Sequence, residues 1–261
     1  MSKPTQEKAI AQKAPQNAIA TYEQFDQDLL GELSSAEGTD FEFARLTVVQ
    51  PTSKIKGTFG DVIDSNTEEP IVKMGEKLAI VPLWFFKSYA VYETKPRKWK
   101  RNETKTAENA TRSLFENRED TEDKKPVKWE ERLNLYLILA RDLGAAMPPV
   151  YRLLFKPSSF KEAKKLLTDW EMKKKTGQPP FAFIWDFKTE QAENDQGKFA
   201  VIKVAMSMND GKQKQVGPEE FPAVQEWVKL LVKNRDQIMR VESKLAEEAE
   251  TETEAKDAIS Y

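Results

Sequence analysis

The chain has 261 residues, 39% hydrophobic and 32% charged, with a formal net charge of −2 and neither Cys nor His. Without Cys there are no disulfides, thiolate zinc sites, iron–sulfur clusters or Cys nucleophiles, and without His no imidazole general base or His-based triad. What remains for chemistry is carboxylate, Lys, Tyr and Ser/Thr, which points to a binding protein with no cofactor and no enzymatic activity. No window of about 18 apolar residues exists for a membrane span, and the N-terminus lacks the apolar stretch of a signal peptide. The expected location is the cytoplasm.

In chain order, residues 1–40 read as a flexible N-terminal arm with a short helix at 21–34, carrying Phe25, Leu29 and Leu30 on one side. Strands are expected from 41. FEFARLTVVQ (41–50) is aromatic and β-branched and stops at Pro51, and GTFGDVIDSN (57–66) is a short apolar pair followed by a turn. KLAIVPLWFFKSYAVYE (77–93) is the longest apolar and aromatic run, interrupted by Pro82, which predicts a strand edge or a bulge. Residues 94–128 are polar and read as a long loop or insertion with little core content. ERLNLYLILARDL (131–143) is read as a strand, although helix is an alternative, and VYRLLFK (150–156) as a strand.

Residues 158–177 have helical spacing at Phe160, Ala163, Leu166, Leu167 and Trp170, with Ser158 or Ser159 as the expected cap and Gly177 as the stop. FAFIWDFKTEQ (181–191) and KFAVIKVAMS (198–207) are expected to form a hairpin through 193–197, and 221–245 a long amphipathic helix. The fold class is therefore mainly β with added helices: a small closed or half-open barrel, one helix before the last hairpin and a long C-terminal helix. The domain division is an arm (1–40), a barrel domain (41–241) and a disordered acidic tail (242–261).

Charge is unevenly spread. Residues 242–261 hold seven acids against two lysines, a net charge of −5, which leaves +3 on residues 1–241. The cations concentrate in WFFKSYAVYETKPRKWKR (84–101), where Lys87, Lys95, Arg97, Lys98, Lys100 and Arg101 are interleaved with Trp84, Phe85, Phe86, Tyr89, Tyr92 and Trp99. Cations neutralise phosphates and release counterions. Aromatic faces stack on unpaired bases, which a duplex hides. The combination points to single-stranded nucleic acid.

The expected nucleic-acid-binding residues are Trp84, Phe86, Lys87, Tyr89, Tyr92, Lys95, Arg97, Lys98, Trp99, Lys100, Arg101, Tyr151 and Arg152. Phe85 and Tyr89 are equally candidates for the core, because alternate strand residues share a face. Arg45, Lys54 and Lys56 are candidates to extend a groove, and Lys161, Lys164 and Lys165 with Lys173, Lys174 and Lys175 make a basic helix. Asp61 and Asp64 are a weak candidate for Mg²⁺, and no metal site is assigned. No GxxxxGK[ST] phosphate loop is present.

The tail ends AISY, with Asp257, Ile259 and an aromatic Tyr261 at the terminus. Such a tail can compete with nucleic acid for a basic groove, and its aromatic end can enter a hydrophobic pocket on a partner.

With FARLTVVQP (43–51), the 57–93 block, the 149–204 block and the tail, the chain resembles the single-stranded-DNA-binding proteins of tailed bacteriophages. The resemblance covers most of 41–207 and is one of pattern; the 94–128 insertion and the 221–245 helix depart from it. It implies an OB-fold-like barrel, a non-catalytic role coating single-stranded DNA in replication and recombination, and a host-cell cytoplasmic location. It also implies a tail that recruits polymerase, helicase or recombinase through Asp257, Ile259 and Tyr261, with RNA polymerase an additional candidate. Two other readings stand beside it: a Mg²⁺-dependent DNA-processing enzyme, and a phage structural or assembly protein that oligomerises through 221–245. The oligomeric state is left open.

Overall fold

The computed structural model describes residues 43–94, 97–106, 120–122, 125–195 and 197–240, apart from positions 52 and 54. The N-terminal arm and the acidic tail lie outside these residues.

The described chain is mainly β. It runs β1 (Ala44–Val48), β2 (Val62–Asp64), β3 (Pro70–Val72), β4 (Leu78–Thr94), β5 (Arg97–Thr104), β6 (Asp120–Glu122), β7 (Lys125–Leu139) and β8 (Val150–Phe155). Helix α1 (Pro157–Lys175) follows, then β9 (Trp185–Asn194), β10 (Gly197–Met206), the small ribbon β11 (Met208–Asn209) and β12 (Lys212–Gln213), and helix α2 (Phe221–Lys233). One sheet has the order β10-β9-β4-β7-β8-β1-β2-β3, with β5 added to β4 and β6 to β7.

Strands β4, β7 and β8 form an antiparallel meander, α1 follows it, and the β9–β10 hairpin returns to place β9 beside β4. This is the strand order and helix position of an OB-like barrel. β1 lies parallel to β8, and the residues just past its end meet β10 where the sheet curls. Side chains bridge that seam. The Gln50 amide bonds to Ala200, Ser159 Oγ accepts the Ile202 N–H at 3.1 Å, and Glu162 accepts the Val204 N–H at 3.5 Å. The expected cap at Ser158 or Ser159 is not formed: the helix starts earlier, with Lys156 as its N-cap residue and Pro157 in the first turn, so both serines are helical and α1 has no side-chain cap.

Alternation explains the core. Leu133, Leu135, Leu137 and Leu139 point into the barrel with Leu153, Phe155, Phe187 and Ile202. The intervening Tyr136 and Ile138 face outward beneath Phe221, Val224, Leu231 and Ile238. The register shifts between Pro82 and Trp84. Ahead of the shift Leu78 and Ile80 point inward; after it Phe85 does. The break at Pro82 thus reverses the parity of β4 and sends Trp84, Phe86 and Ser88 outward.

Two expectations change. Residues 94–128 are not only loop, since β5 and β6 pair with the extended ends of β4 and β7. Their polar sequence is compatible with strand because ion pairs neutralise it, Lys100 and Arg101 with Glu122 and Arg101 with Glu103. The C-terminal helix also breaks at Asn234, whose side-chain amide donates to the Leu230 carbonyl at 3.0 Å, before a second helical turn at 235–240.

Candidate nucleic-acid interface

The outward face of β4, β7, β8 and β1 is only partly covered. Around Tyr136 and Ile138 it is packed under the α2 region. Beyond them an open groove of about 270 Å³ crosses Phe86 and Ser88 of β4, Arg132 and Asn134 of β7, Arg152 and Leu154 of β8, and Arg45 and Thr47 of β1. Its far wall is the seam, with Gln50, Lys156, Ser159 and Ala200. Register brings these together: Phe86 is opposite Asn134, Ser88 opposite Arg132, and Arg45 opposite Arg152.

The floor is a connected polar chain. Arg152 donates to Asn134 Oδ1 from Nη2 at 2.7 Å and from Nε at 3.2 Å, and Asn134 Nδ2 donates to Ser88 Oγ at 2.9 Å. Asn134 is 1% exposed, so this chain satisfies a polar group that burial would otherwise penalise. Arg132 donates to the Tyr92 hydroxyl and lies 5.8 Å from that ring's centre. Behind Phe86, Trp84 sits 5.4 Å away and contacts Tyr136, itself met edge-on by Phe43 at 5.0 Å. The Phe86 ring therefore rests on an aromatic stack. Arg45, Arg132, Arg152 and Lys156 line the groove, and none of its described lining residues is acidic.

Of the residues singled out from sequence, Phe86 and Arg152 line this groove. Trp84 supports Phe86, and Tyr92 is held by Arg132. Others face elsewhere. Lys87 shares the opposite face with Phe85, 3.5 Å from Glu131 and over the Phe160 ring. Tyr89 is fully buried with Val91, Val127 and Trp129, so its ring has no exposed face. Tyr151 packs against the barrel core on the other side of β8 from Arg152, and burial raises its hydroxyl pKa.

In the basic run on β5, Lys100 and Arg101 are paired with carboxylates. Arg101 makes a bidentate pair with Glu122 at 2.7 and 2.8 Å, bonds Glu103 at 2.5 Å and stacks over Trp129, while Lys100 reaches Glu122 at 2.9 Å. The Arg101 hydrogen bond pulls Glu122 down to about 2, and the same partners raise Arg101. Lys98 is exposed. Arg97 and Trp99 are placed by backbone alone, opposite Thr94 and Tyr92. Lys95, Asp257, Ile259 and Tyr261 lie outside the described residues. Asp64 accepts the Asn66 N–H at 2.9 Å, as a turn-forming aspartate does, and Asp61 accepts the N–H of Met74, 13 residues away, at 3.0 Å.

Arg132 and Asn134 were not assigned to the interface from sequence, Lys156 only as a weaker candidate beside Arg152, and Arg45 only as an extension. The signal for the first two was present: in RLNLYLIL the Leu residues alternate with Arg132, Asn134 and Tyr136, so a polar pair shares the outward face.

A family model described as Pam3 phage gp34-like protein matches residues 12–216. The chain belongs to this family. It is a phage protein. The gp34-like match spans every strand that builds the groove and ends before α2. No curated protein and no solved structure shows a significant match. Among the described residues of this gp34-like chain, no helix is long and apolar enough to cross a membrane.

Proposed function

We propose that this gp34-like protein is a non-catalytic single-stranded-DNA-binding protein that coats single strands during replication and recombination. One observation carries the reading: an OB-like barrel bears an open groove with Arg45, Arg132, Arg152 and Lys156 on its walls, an aromatic ring at Phe86 and no acidic residue among its described lining. The cations neutralise backbone phosphates, and a ring of this kind stacks on a base, worth about 1–3 kcal/mol per base. A duplex offers phosphates but hides base faces, so ring and cations together favour a single strand. In this reading the acidic tail competes for the groove and recruits replication or recombination proteins through Asp257, Ile259 and Tyr261.

The rival assembly reading relies on the 221–245 region for oligomerisation. Phe221, Val224, Leu231 and Ile238 are instead buried against the sheet of the same chain.

The test is Trp fluorescence on adding poly(dT), at low and high salt, for the full chain and a chain ending at Ser243. Quenching that weakens with salt and strengthens without the tail supports the proposal. No quenching in either chain at low salt overturns it in favour of the assembly role. DNA breakdown that requires added Mg²⁺ supports the enzyme instead.

A further inference from the structure

We infer that the groove is the first half of a longer track, and that the single strand leaving it crosses a second, base-independent phosphate path made by Lys161 and Lys165 of α1, Lys203 of β10 and Lys188 of β9. The inference rests on the single-strand reading of the groove and adds the route by which a longer strand leaves.

The path begins at the groove wall. Ser158 and Ser159, in the first turn of α1, line the groove. Lys161 and Lys165 follow Ser158 at three and seven residues along the chain, which places them on the same side of the helix. Both are exposed, Lys165 with 55% of its side chain accessible.

The β9–β10 hairpin supplies the other two cations. Lys203 and Lys188 are directly opposite in the register, and their neighbours Val204 and Phe187 point into the barrel, so the two lysines face outward. Like charges directly opposed on a sheet are destabilising. Here the side chains are 40% and 44% exposed.

Glu162 joins the helix to the strand. Its carboxylate is 2.6 Å from Lys165 Nζ and 3.5 Å from Lys203 Nζ, and it also accepts the Val204 N–H. Burial opposes its ionisation, but these partners hold it below the usual carboxylate range. Glu190 is 2.6 Å from Lys188, and Asp186 on the same face of β9 is paired with Lys77 at 3.3 Å, which leaves Glu162 and Glu190 as the carboxylates that meet these four lysines. Four lysines against these two carboxylates leave a net positive strip beside the groove. The strip offers cations without the aromatic ring that the groove provides. Its ligand is therefore the sugar–phosphate backbone, with no preference among bases.

The test compares binding of dye-labelled dT oligomers of about five and about twenty nucleotides, one near the lower limit of the site of an OB-like barrel and one beyond its upper limit. Anisotropy is read across a NaCl series for the full chain, Lys161→Ala/Lys188→Ala and Lys161→Arg/Lys188→Arg, with thermal melts to confirm that each variant is folded. The alanine pair spares Lys165 and Lys203, which hold Glu162. It should leave the short oligomer unaffected and weaken the long one, lowering its log–log salt slope by about 1.4, or about 0.7 for each phosphate no longer neutralised. The arginine pair should bind like the parent. An unchanged slope for the long oligomer in a folded alanine variant overturns the track while the groove stands. Failure of the parent to bind either oligomer overturns the groove reading and the track together.

Discussion

Gln50 and Ala200 are joined by a two-way hydrogen bond across the barrel seam: the Ala200 N–H donates to Gln50 Oε1 at 2.9 Å, and Gln50 Nε2 donates to the Ala200 carbonyl at 3.0 Å. A primary amide offers the same donor and acceptor as a peptide group. Gln50 therefore stands where the next strand's backbone would be, just past the end of β1, and caps the edge of β10.

Gln50→Ala leaves both backbone groups of Ala200, itself 3% exposed, without these partners. The cost of a buried unsatisfied polar group is about 1–3 kcal/mol, and urea unfolding should show a loss of that size. Gln50→Glu keeps the acceptor and loses the donor. Its deficit should shrink as pH falls and the carboxyl protonates, since the acid O–H restores a donor. A deficit independent of pH would count against this account of the seam.

Leu231 is fully buried among Val224, Ile238 and the outward residues of β4 and β7. Leu231→Ala should cost about 2–5 kcal/mol, as other Leu truncations in packed cores do. The measurement is again urea unfolding, followed at two protein concentrations. A midpoint that depends on concentration would show that this face serves association between copies of the chain.

The sequence made much of the barrel legible because strands such as β7 alternate cleanly. The helical spacing from Phe160 to Trp170 had one economical reading and was realised, and of the strand and helix readings of 131–143 the alternation of Leu133, Leu135, Leu137 and Leu139 settles on strand. Which cations face the groove was less legible. That Lys100 and Arg101 of KPRKWKR are paired could not be read because their carboxylate partner is distant in sequence: Glu122 lies 21 residues beyond Arg101 and meets it only once β5 and β6 flank the β4–β7 pair. The parity of β4 was equally hidden, because whether Phe86 or Lys87 faces outward depends on where the register shifts after Pro82.

That Arg101–Glu122 contact makes the outer end of the sheet sensitive to acid. The Arg101 hydrogen bond holds the Glu122 carboxyl at about 2 when folded, against the usual 4.5. The folded-state value is depressed, so its stabilisation is fully present above about pH 4.5 and fades as pH falls towards 2. The pair is partly exposed and solvent screens it, so the loss should be local. Amide protection factors in β5, which correct for the intrinsic pH dependence of exchange, should fall across that window before the β7–β8 core opens. Glu122→Gln should show lower protection already at neutral pH, changing little on acidification. Equal pH dependence in both proteins would remove Glu122 as the cause.

Arg152 holds Asn134 and also supplies positive charge to the groove, and substitution separates the two roles. Arg152→Ala removes both donors to Asn134 Oδ1 and the charge. It should lower stability by about 1–3 kcal/mol and poly(dT) affinity by about ten- to a hundredfold, the range for a charge-assisted bond. Arg152→Lys keeps the charge but cannot reproduce the fork. It should lose a comparable part of the stability, because Asn134 is still poorly satisfied, while retaining most of the salt dependence of binding. Urea midpoints and salt titrations of both variants give the comparison. If lysine restores stability and leaves affinity at the alanine level, the Arg152 guanidinium acts on DNA through its shape, and charge alone does not account for the groove.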